Sequence, residues 1–470
     1  MQTPDLLIII LFLLAMTIYG IWQGRSNRST GDYFLGGRNL PWVVAMFSIV
    51  ATETSVLTFV SIPGIAYRGD WTFLQLAMGY ILGRVLVSAV LLPAYFREGV
   101  TSIYEIIGTR FGTSMQKLAS SVFLITRILA DGVRYLATAV VVEAVTGWSL
   151  SASVLVIGLV TLTYTLSGGI RTVVWLDSIQ FVLYLAGGII TIGYILQNID
   201  IPPGEAMTHL LEAGKLKLIN PDMHLLSEPW AFFSAVTGGI LLSFASHGVD
   251  YMMVQRALGC RNLGAARKAM IGSGIFVFLQ FSVFLLAGSL IFIFLGGDPG
   301  VEKDREFASF IVNHLPVGLK GILLAGVLSA AMSTLSSSIN SLASSTVTDL
   351  LGGSASLNQS RLISLGWAAV LITIALGFDE SDSAIVILGL QIASFTYGGL
   401  LALFLLSKSS RNFSPVSLGT GLVAGMTSVM LLQQAGIAWT WYICFALITT
   451  IAIAYSIDLL AELFTHKNRQ

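Results

Sequence analysis

Residues 412–457 contain no Asp, Glu, Lys or Arg, and runs almost as bare recur along the whole chain. About 20 consecutive apolar residues in a helix cross the hydrocarbon core of a bilayer. By that measure the sequence predicts thirteen spans: 5–24, 41–66, 71–96, 116–146, 149–169, 172–198, 230–255, 268–297, 307–348, 362–378, 384–407, 414–435 and 438–460. Only 11% of the 470 residues are charged, against about 25% in soluble domains. So few charges cannot cover a water-exposed surface of this size. The expected fold class is therefore an all-α integral membrane protein of about 13 transmembrane helices.

The polar remainder narrows the class. Lys+Arg and Asp+Glu balance at 25 each, so no basic excess suggests a nucleic-acid partner. Cys260 and Cys444 make neither a disulfide framework nor a CxxC metal site. The N-terminal run continues to Trp22 without a positive leader region and reads as a retained span. Placing the N-terminus outside puts most Lys and Arg on the cytoplasmic side. The outer side then holds only Arg68, Lys215, Lys217, Lys303, Arg305 and Lys320. A multi-pass protein of the plasma (inner) membrane with a cytoplasmic C-terminus is expected. Ile103, Ile106, Ile107 and Phe111 form a stripe at helical spacing, which predicts a piece lying in the membrane interface. No soluble domain of useful size and no G-x-x-x-x-G-K-[ST] loop point to an ATP-driven motor.

Charged groups facing lipid cost about 2.5–3.5 kcal/mol each, so polar residues inside spans mark candidate sites. Ala51-Thr52-Glu53-Thr54-Ser55 interrupts span 41–66. Unwound backbone at mid-depth lines cavities, and its carbonyls suit an alkali cation. An intact helix with a buried Glu–Arg pair is the alternative. In span 307–348, Ser333, Thr334, Ser336, Ser337 and Asn340 form a row of hydroxyl and amide groups. They read either as oxygen ligands for a hard cation or as a small-residue packing seam. Arg127, Asp131 and Arg134 share one face of span 116–146. They form a salt-bridged triad, or free one Arg for Glu53 or a solute carboxylate. Ser243, Ser246, His247, Gly248 and Asp250 lie in span 230–255. There His247 reads as a hydrogen-bonded core residue or a solute contact. Spans 41–66 and 230–255 are the second and seventh, and polar breaks at matching positions in two halves characterise inverted-repeat transporters. From depth and from the faces turned to these breaks, the expected solute pocket comprises Thr52, Glu53, Ser55, Thr58, Phe73, Ser243, His247 and Gln391. Glu53 points to a cationic or hydroxyl-rich solute, Arg127 and Arg134 to a carboxylate.

Four segments carry a family resemblance over nearly the whole chain. They are Gly31-Asp32-Tyr33-Phe34-Leu35-Gly36-Gly37-Arg38, Ser167-Gly168-Gly169-Ile170-Arg171-Thr172-Val173-Val174-Trp175-Leu176-Asp177, Val254-Gln255-Arg256 and the Ser/Thr-rich stretch 329–346. Together, in this order, they resemble the sodium/solute symporter family. The resemblance implies a LeuT-type fold of two inverted five-helix repeats at 41–198 and 230–407. An extra helix at 5–24 would precede them and two at 412–460 would follow. It also implies a sodium site from the carbonyls of Ala51, Thr54 and Ala330 with the hydroxyls of Ser333 and Thr334. A further sodium site would use Asp177, Ser333, Ser336 and Ser337, which leaves one- and two-sodium stoichiometries open. Ala130 stands where sialic acid carriers of the family place a carboxylate-binding Arg, and Glu53 where better-known members have small or neutral residues.

The expected function is sodium-coupled uptake of a small organic solute (sugar or polyol, amino acid or organic acid) by alternating access. The implied partners are Na+, the solute and the lipid bilayer, with a single copy as the working unit. The rivals are a proton-coupled symporter using Glu53 and, remotely, an intramembrane enzyme. For the enzyme no nucleophile, base and orienting group can be placed together.

Overall fold

The structure, a computed structural model, describes residues 2–25, 27–54, 56–297, 300, 305–377 and 385–467. The helices are α1 (Thr3–Gly24), α2 (Thr30–Leu35), α3 (Trp42–Glu53), α4 (Val56–Arg68), α5 (Leu74–Leu86), α6 (Leu92–Glu98), α7 (Glu105–Phe111), α8 (Thr113–Thr146), α9 (Leu150–Asn198) and α10 (Pro203–Glu212). There follow α11 (Phe232–Ser246), α12 (Tyr251–Leu258), α13 (Leu263–Phe294), α14 (Glu306–His314), α15 (Leu319–Ser345), α16 (Leu357–Gly377), α17 (Ile385–Leu406), α18 (Pro415–Gln434) and α19 (Tyr442–Lys467). Among the described residues the only β pairing is an isolated bridge between Leu40 and Cys260.

Each expected span coincides with a helix or an interrupted helix. By length and composition alone, eight described helices could cross a membrane, or nine if the bent pair α11–α12 is one span. The shortfall from thirteen has several sources: α9 holds two expected spans in one helix, α8 is not among the eight, α17 counts only as a shorter helix, and two expected spans are interrupted. Span 41–66 divides into α3 and α4, and α11 meets α12 at a 65° bend. The long stretch 307–348 divides into short α14 and α15.

Burial separates lipid-facing from inward helices. Along α1, Leu7, Leu11, Leu14, Ile18 and Trp22 stay exposed, as expected of a helix whose outer face meets lipid. In α15 every residue from Leu323 to Ser345 is buried. Its hydroxyls stay satisfied partly by bonding back one turn: Ser329 to Ala325 O at 2.7 Å, Ser338 to Thr334 O at 3.0 Å. So a serine-rich helix can occupy the centre of the bundle.

Glycines set the closest approaches. A Cβ at Gly79 would meet Val236 O at 2.3 Å, at Gly83 Ile240 O at 2.5 Å, and at Gly239 Leu76 O at 2.2 Å. This small-residue seam brings α5 and α11 together. Gly169 interrupts α9 at φ 59°, ψ −163°, and a Cβ there would lie 2.5 Å from Tyr33 O. The kink separates the two expected spans 149–169 and 172–198.

One expectation is corrected. Ile103, Ile106, Ile107 and Phe111 are buried, and α7 packs on α8, with Phe111 against Phe413. The apolar stripe is covered by protein rather than by lipid headgroups, because the neighbouring helices reach it first.

The conformation at Gly169 belongs almost entirely to glycine. Gly169→Ala is expected to cost about 2–3 kcal/mol, read as a lowered unfolding midpoint of the purified chain in detergent; an unchanged midpoint would contradict the geometry.

Candidate ion and solute sites

The first core helix does break, but later than expected. Ala51, Thr52 and Glu53 remain helical in α3, and Thr54 turns extended (φ −86°, ψ 94°) while its N–H still bonds Val50 O at 2.9 Å. Thr52 and Glu53 are held by side-chain partners described below, so the chain stays wound through them. A helix end leaves its last carbonyls without intrahelical donors, and here that end lies in the middle of the bundle. Gln280 of α13 braces it, donating to Thr54 Oγ1 at 3.0 Å and accepting from Tyr184 OH at 3.0 Å. Ser55 lies outside the described residues.

Asp177 of α9 ties this break to α15. Ser48 donates to its Oδ2 at 2.7 Å and Thr52 at 3.3 Å, and Ser333 donates to its Oδ1 at 2.6 Å. Arg256 of α12 completes the group, with Nη2 3.1 Å from Asp177 Oδ2 and Nε 2.8 Å from Ser48 Oγ. Arg256 also donates to Ser337, and Thr52 lies 3.3 Å from Ser337 Oγ. Asp177 and Arg256 are 1% and 0% exposed, which is tolerable because each charge is both paired and hydrogen-bonded. Of the residues expected to ligate sodium, Ala51, Thr54, Ala330, Ser333 and Thr334 are all buried here. Thr334 Oγ1 lies 3.2 Å from Ala330 O. Ser336 is not drawn to Asp177 but donates to Ser333 O at 3.1 Å, since it sits one residue before Ser337 and points elsewhere on the helix.

A second charged group lies beside the break. Glu53 pairs with Arg84 of α5, whose other terminal nitrogen donates to Ser273 Oγ at 2.6 Å. His247 Nε2 lies 3.7 Å from Glu53 Oε2, and His247 Nδ1 is 2.9 Å from Ser246 Oγ. The α5–α11 glycine seam makes this meeting feasible, and Ser243 reinforces it by donating to Tyr80 O at 3.0 Å. The sequence signals a Glu–Arg pair, but Arg84 rather than Arg127 or Arg134 is the partner.

Those two arginines belong to a third group. Arg127 lies 3.3 Å from Asp131 and 3.2 Å from Asp250, and donates to Tyr397 OH at 2.9 Å. Arg134 is 3.7 Å from Asp131, and Ser338 and Tyr397 donate to Asp131 and Asp250. The intrahelical triad therefore extends across α12, α15 and α17.

The remaining pocket candidates divide. Thr52 faces Asp177 and Ser337 rather than Glu53 and His247. Phe73 packs on Trp230 and Phe281. Thr58 is half-buried, and the side chain of Gln391 lies outside the described residues. Sequence reasoning missed Arg84, Gln280, Tyr184, Tyr397 and the role of Arg256, which it counted as a cytoplasmic loop charge. A buried Asp at the end of one motif and an Arg ending another were the available signal for Arg256.

The motif segments converge in space. Gln255 donates to Phe34 O at 2.8 Å and to Asn340 Oδ1 at 2.9 Å, Tyr33 OH donates to Thr165 O at 3.3 Å, and Arg256 meets Asp177. They form one structural junction under the helix break.

Removing one member of a buried ion pair costs about 3–5 kcal/mol. Arg256→Gln is expected to destabilise the chain by that amount in denaturant unfolding, and Asp177→Asn added to it should restore most of the loss.

The profile described as "Sodium:solute symporter family" matches residues 33–408. Among similar proteins, the human "Sodium/iodide cotransporter" is 29% identical over 442 residues, 88% of this chain and 67% of that one. "Sodium-coupled monocarboxylate transporter 1" of Xenopus laevis is 27% identical over 90% of this chain and 70% of its own length. "Sodium/sialic acid symporter SiaT" of Proteus mirabilis is 27% identical over 71% of this chain and 68% of its own. Among solved structures, the substrate-bound outward-open state of a Na+-coupled sialic acid symporter superposes with a TM-score of 0.87 at 22% identity, over 96% of both chains. A nucleobase-cation-symport-1 family transporter in a closed conformation superposes with a TM-score of 0.60 at 14% identity, over 93% of this chain and 96% of its own. With its helical fold and its profile match in agreement, the chain belongs to the sodium:solute symporter family of multi-pass membrane transporters, and its function is sodium-coupled solute uptake.

Proposed function

We propose that sodium binds at the junction of the α3 break and α15, and that the solute binds beside it at the break. The observation carrying this is Asp177 bonding Thr52 and Ser333 at once, which holds the end of α3 against the hydroxyl row of α15. Its ligands are the carbonyls of Ala51, Thr54 and Ala330 and the hydroxyls of Ser333 and Thr334. Such neutral oxygens hold a hard monovalent cation weakly enough to release it.

A second sodium at Asp177, Ser333, Ser336 and Ser337 is disfavoured in this arrangement. Arg256 already neutralises Asp177 and binds Ser337, and Ser336 bonds elsewhere. One sodium per cycle is the reading that follows. Proton carriage by Glu53 is also disfavoured, because its carboxylate is engaged by the buried Arg84.

Sodium entering from outside would join α3 to α15 and hold the solute pocket ready. Sodium and solute then raise each other's affinity by the same factor. Moving one charge inward across 100 mV supplies about 2.3 kcal/mol. The rocking unit would be the repeats 41–198 and 230–407, with 5–24 and 412–460 peripheral, the N-terminus outside and the C-terminus cytoplasmic in a plasma (inner) membrane, and one copy sufficient. The pocket is assigned to Glu53, Thr58, Phe73, Ser243 and His247, with Thr52 serving the ion side; Ser55 and Gln391 are kept as candidates on the sequence alone. The relatives named for iodide, monocarboxylates and sialic acid carry different solutes on one scaffold, so family membership leaves the solute to the pocket.

Thr334→Ala removes one oxygen ligand. It is expected to raise the sodium concentration for half-maximal thermal stabilisation at least tenfold, about 1.4 kcal/mol, and to slow sodium-driven uptake into proteoliposomes. Equal sodium response in both proteins, or uptake that persists in choline and follows a proton gradient, would refute the assignment.

A further inference from the structure

We infer that the pocket recognises its solute through a hydrogen-bond donor, a hydroxyl or an ammonium, presented to Glu53, and that small anions lacking such a donor are not its cargo. The inference rests on the sodium-coupled reading above and adds the solute class to it.

The sequence offers both signs of charge, and the structure decides between them. Arg127 is buried against Asp131 and Asp250, and Arg256 is buried against Asp177; Arg134, 14% exposed, is paired with Asp131 at 3.7 Å. Arg84 does reach the break, but it is 0% exposed behind Glu53, which keeps 16% of its side chain accessible. A solute arriving at this pair therefore meets the carboxylate first. To reach the guanidinium, an anion would have to displace Glu53, and the displaced carboxylate would remain as a like charge beside it.

One further atom fits a polar solute. His247 Nε2 is buried, 3.7 Å from Glu53 Oε2, and without a hydrogen-bond partner among the described residues. Buried polar atoms are normally satisfied, so an unsatisfied ring nitrogen next to an accessible carboxylate is suited to a polar ligand. The pair Glu53–Arg84 is neutral overall, so an uncharged polyhydroxyl solute adds no uncompensated charge, while an ammonium would compete with Arg84 for the same carboxylate.

The test is thermal shift of the purified full-length chain with and without saturating sodium. The probes are D-galactose and myo-inositol for hydroxyls, putrescine for ammonium, and iodide and pyruvate for anions. A hydroxyl or ammonium probe is expected to raise the midpoint, and the arm that responds identifies the donor. Glu53→Gln should weaken that probe at least tenfold while sodium alone still raises the midpoint. Because that change strands Arg84, the double variant Glu53→Gln, Arg84→Gln removes both charges and should lose the probe equally. The proposal is overturned if only iodide or pyruvate binds, if no donor-bearing probe binds, or if the donor probe keeps its affinity in both variants. A wild-type chain that shows no sodium shift sinks the sodium reading instead, and the arm without sodium still decides the solute class.

Discussion

A carboxylate placed in the middle of a membrane protein has to be answered by charge or by hydrogen bonds, and Asp177 is answered by both. Three hydroxyls from α3 and α15 and the guanidinium of Arg256 surround it. Each brings its own element with it, so α3, α9, α12 and α15 are fixed at one point. The broken helix and the hydroxyl row face one another because of that shared partner. Without it, an extended residue at Thr54 would be an unsupported interruption in hydrocarbon.

Close packing makes the charged groups reachable. Hydrophobic attraction between helices is weak in lipid, so contacts rely on small residues and polar links. The seam of Gly79, Gly83 and Gly239 lets α5 lie against α11, and this brings Arg84 and His247 to Glu53. At Gly169 the same logic sets a turn: its positive φ and the nearby Tyr33 carbonyl leave no room for a side chain. Buried ion pairs are often neutral in stability. Their value here is positional, since each joins helices distant in sequence.

Much of the fold was legible because lipid imposes a one-dimensional code. Runs without charge gave the helices, and the polar groups at Ala51–Ser55 and Ser243–Asp250 marked the two interrupted spans, the first of which breaks only at Thr54. The triad of Arg127, Asp131 and Arg134 was legible because helical spacing places neighbours on one face. Its extension to Asp250 and Tyr397 was not, because nothing local records which helices lie side by side. The interfacial reading of 99–112 failed for the same reason: an apolar stripe looks alike whether lipid or protein covers it.

The amino-acid order by itself determined that the chain is helical, membrane-embedded and interrupted in two spans, since each property depends on composition and spacing along a single segment. Pairing was left to tertiary structure. Only folding decided that Arg84 meets Glu53, that Arg256 meets Asp177, and that Arg84 is buried while Glu53 keeps part of its side chain accessible. Those outcomes depend on how closely separate helices approach, a distance set by glycine seams and shared hydrogen bonds between remote parts of the chain.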